Sequence, residues 1–200
     1  GVVTLGLTSN VSETFNFTAY NESVTNSTNI TVNPASAVTF YMSHDGSATA
    51  GVVEDITLLA KDTYNNTDTN YNGYVILTTT AADPSTLTWS AGVDEWDGSG
   101  NWEYTFSSGS ATLNLTNTKA ESLTVTASLA GMVSFTSSAL VFSHAVVNHF
   151  SLTHDSYGLL NTAETVTLTA QDAFNNTVLN YTGDVFLDSN ASDSNTLTWS

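Results

Sequence analysis

Residues 54–77 read EDITLLAKDTYNNTDTNYNGYVIL, and residues 164–187, 110 positions later, read ETVTLTAQDAFNNTVLNYTGDVFL. The two stretches belong to a longer match in which residues 37–90 align with residues 147–200 without a gap, and 23 of the 54 positions are identical. So many identities at one fixed spacing indicate a tandem repeat, which has to be interpreted before any single motif. The sequence therefore predicts repeated units of about 110 residues rather than one larger domain.

The N-terminal residues belong to the same repeat. Residues 1–19 correspond to residues 109–127, and the identical positions in the first copy are Gly1, Thr4, Leu5, Leu7, Thr8, Glu13, Thr18 and Ala19. We interpret residues 1–36 as the C-terminal part of one repeat, residues 37–146 as a complete repeat, and residues 147–200 as the N-terminal part of the next. Short linkers are expected at about 33–37 and 143–148, and the chain is expected to be a section of a longer array.

Alternation of apolar and polar residues dominates the repeat, which is typical of strands with one buried face. No stretch has a helical period. About eight short strands per repeat predict an all-β fold of tandem immunoglobulin-like Greek-key β-sandwiches with essentially no helix. The predicted strands are 38–44, 56–60, 71–77, 86–90, 102–106, 113–115, 123–127, 133–135 and 140–142, with second copies at 166–170 and 181–187. Asn65-Asn66 and Asn175-Asn176 fit turns between strands, because asparagine tolerates left-handed backbone.

The run from Ala50 to Thr67, followed by Asn70-Tyr71-x-Gly73-x-Val75-x-Leu77-Thr78, resembles the tandem immunoglobulin-like repeats of bacterial and archaeal surface proteins, of the Big, invasin and filamin type. Those repeats share a glycine, an alternating strand ending in Ala-x-Asp, an Asn/Gly turn and then Tyr-x-Gly-x-Val-x-Leu-Thr. The resemblance covers 37–80 and 147–189. It implies an immunoglobulin-like fold and an extracellular, cell-surface location, but no single function, since such repeats serve in stalks, adhesins, surface layers and secreted enzymes.

The composition excludes several classes of partner. Charged residues make up 10% of the chain and the net charge is −17, because Lys61 and Lys119 are the only lysines or arginines. No basic patch can form, so nucleic acid and anionic membrane surfaces are disfavoured as partners. No apolar run reaches the length of a membrane span, so no membrane insertion is expected in these residues. The absence of cysteine excludes disulfides and thiolate metal sites.

Asparagine sequons are the most numerous candidate sites. Ser and Thr together make up about 30% of the chain, and alternation turns several sequon asparagines away from the apolar face. Glycans on these residues would keep a surface of low charge soluble. The open alternative is that the sequons occur only because the strands are rich in asparagine and threonine. The candidates for N-glycosylation are Asn10, Asn16, Asn21, Asn26, Asn29, Asn65, Asn114, Asn175, Asn180 and Asn190.

An acidic, aromatic loop at 94–103 offers a weak calcium site. Asp97, Asn101 and Glu103 would place oxygen ligands at alternate positions, although the glycine and the distant glutamate of an EF-hand are missing. A tryptophan-based carbohydrate contact and an ordinary exposed loop are the alternatives. His44 and His154 are expected in strand-end turns with Asp45 and Asp155 rather than at a zinc site.

No catalytic motif is present, and an active site is seldom copied with a repeat, so we expect no enzyme and no obligatory cofactor. The expected function is structural. The chain would be a subunit of an extracellular glycosylated filament, sheath or surface layer, with itself and N-linked glycans as partners. A domain completed between successive subunits by strand exchange is one version, and a continuous polypeptide is the plain alternative. Stalk repeats of an adhesin and the non-catalytic tail of a secreted hydrolase are the other functions left open.

Overall fold

The structure, a computed structural model, describes residues 1–90, 92–95, 100–192 and 198. The chain forms two compact units, residues 1–145 and residues 146–200. All regular structure in the described residues is β-strand except one 3-10 turn at Pro84–Thr86, capped by the Asp83 side chain. The predicted all-β fold is confirmed.

The first unit contains a separate hairpin and a sandwich. The hairpin consists of β1 (Glu13–Tyr20) and β2 (Thr25–Val32). The strands of the sandwich are β3 (Thr39–Ser43), β4 (Ser47–Thr49), β5 (Glu54–Lys61), β6 (Tyr74–Thr79), β7 (Leu87–Trp89), β8 (Val93–Glu95), β9 (Asn101–Thr105), β10 (Ser110–Asn117), β11 (Glu121–Leu123), β12 (Val125–Ser128), β13 (Phe135–Thr136) and β14 (Leu140–Ser143).

Two main sheets make up the sandwich, in the strand orders β3-β5-β10-β7 and β13-β12-β6-β9-β8, and a smaller sheet has the order β11-β14-β4. Inward side chains such as Leu58 and Leu115 on the first sheet belong to the same buried cluster as Val75 and Val125 on the second. Burial alternates along β5 because successive side chains point to opposite faces of a strand. Every member of the core cluster falls between Phe40 and Phe142.

More and shorter strands are observed than the sequence predicts. The segment predicted as one strand at 123–127 belongs to two strands, β11 and β12, which lie in different sheets. The break falls at Thr124, whose N–H donates to the Thr80 hydroxyl at 2.9 Å. Both halves of the segment face the same core, so the alternation of apolar and polar residues continues through the break. The sequence pattern therefore does not reveal the change of sheet.

The strand predicted at 71–77 begins only at Tyr74, because the preceding residues form a corner. The hydroxyl of Tyr71 donates to the Tyr74 carbonyl at 3.0 Å, and the ring folds over Gly73. A Cβ on Gly73 would lie 2.6 Å from that hydroxyl oxygen, so a side chain there would displace the ring. Tyr181 and Gly183 repeat the arrangement, which explains the Tyr-x-Gly spacing in both copies.

The second unit contains one antiparallel pair, β15 (His149–Thr153) and β16 (Thr167–Gln171). The strand predicted at 181–187 is wrong, because residues 181–190 form no strand. In the first unit the equivalent strand, β6, is held between β9 and β12. The described residues of the second unit supply no counterparts of these two strands, so the equivalent segment lacks its hydrogen-bonding neighbours.

The hairpin of β1 and β2 reproduces a pairing of the sandwich. Glu13 is opposite Val32, and at the corresponding repeat positions Glu121 is opposite Phe142. The two faces of the hairpin differ, as alternation requires. The apolar face carries Phe15, Phe17, Ile30 and Val32, and the polar face carries Thr14, Asn16, Thr18, Ser27, Asn29 and Thr31.

No helix in the part of the chain that the structure describes has the length and apolarity needed to cross a lipid bilayer.

Candidate functional site

The turn that follows β5 is the most elaborate polar structure in the first unit. Asp62 is buried, and its Oδ1 accepts hydrogen bonds from the backbone N–H groups of Tyr64 and Asn66 at 2.9 and 2.8 Å. Asn65 occupies the left-handed region with φ 69°, which asparagine tolerates better than most residues. The predicted turn at Asn65-Asn66 is confirmed.

The second copy of the turn has the same geometry. Asp172 accepts from the N–H groups of Phe174 and Asn176, both at 2.9 Å, and Asn175 has φ 67°. The aspartate and the paired asparagines are thus repeated because they build one turn. The geometry of the turn explains why these residues occur in both copies, and no catalytic role is needed to explain it.

In the first unit this turn also holds the preceding repeat segment. The Asn66 side chain accepts from the Ser12 N–H at 2.9 Å and donates to the Asn10 carbonyl at 3.0 Å. Asp62 Oδ2 accepts from the Ala35 N–H at 3.0 Å. Two stretches of residues 1–36 are therefore fixed to one turn of the sandwich.

A further hydrogen bond completes this contact. Asp68, which is buried, accepts from the Ala37 N–H at 2.9 Å through Oδ2. A groove of about 160 Å³ lies beside the Asp62 and Asn66 contacts, between them and residues 9–12 and 32–35. We call this set of contacts the junction clamp; its side chains are Asp62, Asn66 and Asp68, and its backbone partners are Asn10, Ser12, Ala35 and Ala37.

The clamp sets the ionisation of Asp62. Burial alone would raise the pKa of this carboxyl, but hydrogen bonds donated by the Asn66 side chain and by the backbone N–H groups of Asn66, Ala35 and Tyr64 outweigh that effect. The pKa of Asp62 therefore lies below its ordinary value. The clamp is built around a carboxylate that favours the charged form.

Nine of the ten sequon asparagines are exposed, and the tenth, Asn114, is half-buried. The Asn114 side chain donates to the Asp55 carboxylate in the neighbouring strand. Asn16 and Asn29 lie opposite each other on the polar face of the hairpin, where the Asn16 side-chain Nδ2 donates to the Asn29 side-chain Oδ1 at 3.1 Å. These two asparagines lie on the face opposite Phe15 and Ile30, as alternation predicts, whereas glycan attachment stays a prediction.

The candidate calcium ligands are not brought together by anything that the structure describes. Asp97 lies outside the described residues, while Asn101 and Glu103 lie in β9 opposite Thr78 and Ile76. Among the described residues no group of three His, Cys, Asp or Glu side chains could hold a metal ion. Calcium at the 94–103 loop stays a prediction.

His44 and His154 are expected in strand-end turns with Asp45 and Asp155, and both aspartates form such turns. The Asp45 carboxylate accepts from the Ser47 N–H at 2.8 Å, and Asp155 accepts from the Tyr157 N–H at the same distance. The latter bond lowers the pKa of Asp155. Burial raises the pKa of Glu54, and the Asp45 charge adds to this rise, against the opposing effect of a hydrogen bond from the Asp45 backbone N–H.

Sequence reasoning missed the role of the clamp residues. The signal was present for Asp62 and Asn66, because both recur in the second copy as Asp172 and Asn176. Asp68 has no such signal, since valine occupies position 178. A repeated Asp and Asn can be assigned to a turn from the sequence, but their backbone partners dozens of residues away cannot.

No protein-family model matches the sequence, and no curated protein matches it. Similar solved structures include a glycosyl hydrolase family 2 member from Bacteroides cellulosilyticus, 13% identical with a TM-score of 0.44, in an alignment covering 66% of this chain and 18% of the hydrolase. Domains 1–6 of the surface layer protein SbsC are 22% identical with a TM-score of 0.39, over 84% of this chain and 20% of that one.

The D00-D0 domain of intimin is also similar, at 21% identity and a TM-score of 0.38, over 66% of this chain and 65% of that one. By contrast, this chain spans less than a fifth of the length of the family 2 glycosyl hydrolase described above. With each of these TM-scores below 0.5, we draw nothing about function from these likenesses.

Proposed function

We propose that this chain is part of a structural subunit of an extracellular filament, sheath or surface layer built from tandem immunoglobulin-like domains. The junction clamp is the observation that carries this proposal. The segment at residues 10–35, which belongs to the preceding repeat, is tied to the sandwich by three hydrogen bonds through the Asp62 and Asn66 side chains. A fixed junction transmits tension and bending from one repeat to the next, which is the property that a rod or lattice needs.

The surface chemistry supports an extracellular, glycosylated setting. Charged residues make up only 10% of the chain, so charge contributes less to solubility than in an ordinary domain. Exposed sequons on the hairpin and on the turns of both units would supply a hydrated glycan layer instead. N-linked glycans and further copies of the chain are the partners that this reading implies, with no cofactor and no catalysis.

A stalk that presents an adhesin tip is the second candidate, because the same clamp would stiffen a spacer. The tail of a secreted hydrolase would use the repeat in the same way. The three functions differ in what the repeats assemble into, since only the structural subunit requires lateral or end-to-end polymerisation. Completion of a domain between successive subunits is one route to such a polymer.

Electron microscopy of native, undenatured material is the experiment that separates these functions. The structural role predicts regular filaments or sheets with an axial repeat of one or two sandwich lengths. Isolated rods that end in a distinct globular tip would contradict it and support the adhesin stalk. Rods attached to a catalytic domain would support the hydrolase tail.

A further inference from the structure

The aromatic residue beside the paired asparagines is exposed in both copies of the turn. Tyr64 is 60% exposed, and Phe174 at the same repeat position is 41% exposed. The residue before it changes between the copies, from Thr63 to Ala173, whereas the aromatic character is kept. An exposed ring contributes little to the core of its own unit, so core packing does not explain why both copies have one here.

The two asparagines of the turn have different roles. The Asn66 side chain is taken up by the junction clamp, where it accepts from Ser12 and donates to Asn10. Asn65 makes its hydrogen bonds through its backbone, for example by accepting from Lys61 Nζ at 3.1 Å. No residue that the structure describes hydrogen-bonds to the Asn65 side chain, which is exposed. Its amide nitrogen is therefore free to carry a substituent.

The second copy repeats this free sequon. Gln171 Nε2 donates to the Asn175 carbonyl at 3.1 Å, and the Asn175 side chain is again exposed. The left-handed backbone of Asn65 and Asn175 does not by itself explain the sequons, because glycine adopts that conformation at no steric cost. Both copies nevertheless have asparagine there, with threonine two residues later at Thr67 and Thr177. The geometry of the turn therefore leaves the repeated run of aromatic, Asn, Asn and Thr in need of a further explanation.

We propose that the ring of Tyr64 is the packing surface for the first sugar of an N-linked glycan on Asn65, and that Phe174 has the same role for Asn175. This inference rests on the proposed glycosylated function and assigns the residues that hold the glycan. A pyranose ring presents a face of C–H groups, and an aromatic ring offers a flat apolar face for it. Because the turn is already fixed by its hydrogen bonds, the contact orders no further backbone.

The attachment needs a sugar-phosphate donor from the cell's glycosylation machinery. A bond forms between the anomeric carbon of the sugar and Nδ2 of Asn65, while the bond between that carbon and the donor phosphate breaks. The phosphate leaves with the electron pair of the broken bond, and the amide loses one proton. The turn keeps its hydrogen bonds to Asp62, because neither of them involves the Asn65 side chain.

A second sequon lies beside the same ring. Asn10 and Tyr64 both line the groove next to the junction clamp, so a glycan on Asn10 is the competing occupant of the ring. The repeat favours Asn65. The position corresponding to Asn10 is Thr118, which cannot carry an N-linked glycan, and Phe174 is nevertheless aromatic. The feature shared by both copies is the sequon that directly follows the ring.

Proton NMR of the sugar tests the contact directly, because protons above an aromatic ring resonate upfield. The full 200-residue chain is made in a host that attaches N-acetylglucosamine-based glycans. Upfield-shifted protons of the Asn65 sugar are expected in the natural chain, and Tyr64→Leu should abolish the shift because leucine has no ring. Tyr74→Leu is the matched control. Tyr74 is also exposed, at 44%, but no sequon adjoins it, so its replacement should leave the shift unchanged.

Two further variants identify the source of the sugar. Thr67→Val removes the sequon of Asn65 while leaving the asparagine in its left-handed turn, and the resonances that it removes are those of the Asn65 glycan. These should include the upfield-shifted signals that depend on Tyr64. Asn10→Gln removes the competing sequon and should leave those signals unchanged. The reverse pattern would place the Asn10 glycan on the ring and overturn the proposal.

Urea unfolding measures whether the contact stabilises the fold. Loss of the glycan through Thr67→Val should shift the equilibrium about two- to tenfold towards the unfolded state, the size of an aromatic contact in double-mutant cycles. In a chain that also carries Tyr64→Leu, the same loss should have little effect, since the ring is gone. The same variants from a host that attaches no glycans give the effect of the side-chain changes alone.

A glycan on Asn65 whose protons are not shifted, or whose loss has the same effect with and without the Tyr64 ring, would overturn the inference. So would native material in which glycopeptide mass spectrometry finds neither Asn65 nor Asn175 glycosylated. If that native material still forms filaments or sheets, the structural function stands without this contact. A shifted sugar in a chain whose native form is isolated rods would support the contact and contradict the filament.

Discussion

Asp62 organises a turn and a junction with one carboxylate. One oxygen accepts two backbone N–H groups within the turn, and the other accepts the Ala35 N–H of the preceding segment. Hydrogen bonds donated to a buried carboxylate stabilise its charged form. The loss of that charge should therefore loosen the junction as well as the turn.

The pKa of Asp62 is depressed in the folded state, so its contribution to the free energy of unfolding is fully present above the unfolded-state pKa of about 3.9 and is lost as the pH falls through the lower folded-state pKa. We expect Asp62→Asn to be less stable than the natural chain at neutral pH and to lose less stability on acidification. Urea unfolding between about pH 2.5 and about pH 7 measures both effects. Glu22→Gln, an exposed change in the hairpin turn, is the control. Parallel pH profiles for the natural chain and Asp62→Asn would show that the clamp carboxylate does not contribute.

The sequons should differ in occupancy. Asn114 is half-buried and its amide donates to Asp55, so a glycan there would have to break this hydrogen bond and emerge between two paired strands. Glycopeptide mass spectrometry of native material should find glycans on exposed sites such as Asn21 and Asn65 and little or none on Asn114. Full occupancy at Asn114 would mean that glycans are added before the strands pair.

The strands show which parts of the fold the sequence can predict. Alternation of apolar and polar residues correctly predicted β5 and β10, because each strand has one buried face. For β5 the same alternation occurs a second time, in the other copy of the repeat. It failed at β11 and β12, where the alternation runs through a change of sheet. It also failed at residues 181–187, for which the described residues of the second unit supply no partner strands. Alternation reports which face is buried, whereas strand formation also needs a hydrogen-bonded neighbour.

The two copies of one leucine provide a matched test of this distinction. Leu58→Ala in β5 should lower the free energy of unfolding by about 2–5 kcal/mol, because it leaves a cavity in a closed core. Leu168→Ala, at the same repeat position in half-exposed β16, should leave the unfolding of the sandwich within about 0.5 kcal/mol of the natural chain. Denaturant unfolding followed by tryptophan fluorescence measures both, under dilute conditions. Equal losses would contradict this prediction, because they would mean that Leu168 is as well packed as Leu58.

Burial is unevenly distributed along the described residues. The sandwich spans Phe40 to Phe142, whereas exposed apolar side chains concentrate in residues 1–24 and 146–187. The sequence could predict the repeat, because its period is fixed over many residues. It could not predict the clamp, because that contact joins residues 54 positions apart with no periodic trace.

Hydrogen exchange should reproduce this division. In dilute solution we expect slow exchange of backbone amides in β5, β6, β10 and β12, and rapid exchange in residues 1–9 and 184–192, which form no strands. Exchange in residues 1–9 as slow as in β10 would contradict this division.

The position of the lysines has a consequence for cleavage by trypsin-like proteases. Lys61 lies at the end of β5, with its Nζ donating to the Asn65 carbonyl at 3.1 Å, and Lys119 follows β10 in the same sandwich. Trypsin-like enzymes cut after lysine or arginine and need several residues of extended, unpaired backbone. This chain offers them two sites in 200 residues, and Lys61 lies in the paired strand β5, so cleavage there would have to wait for the sandwich to open.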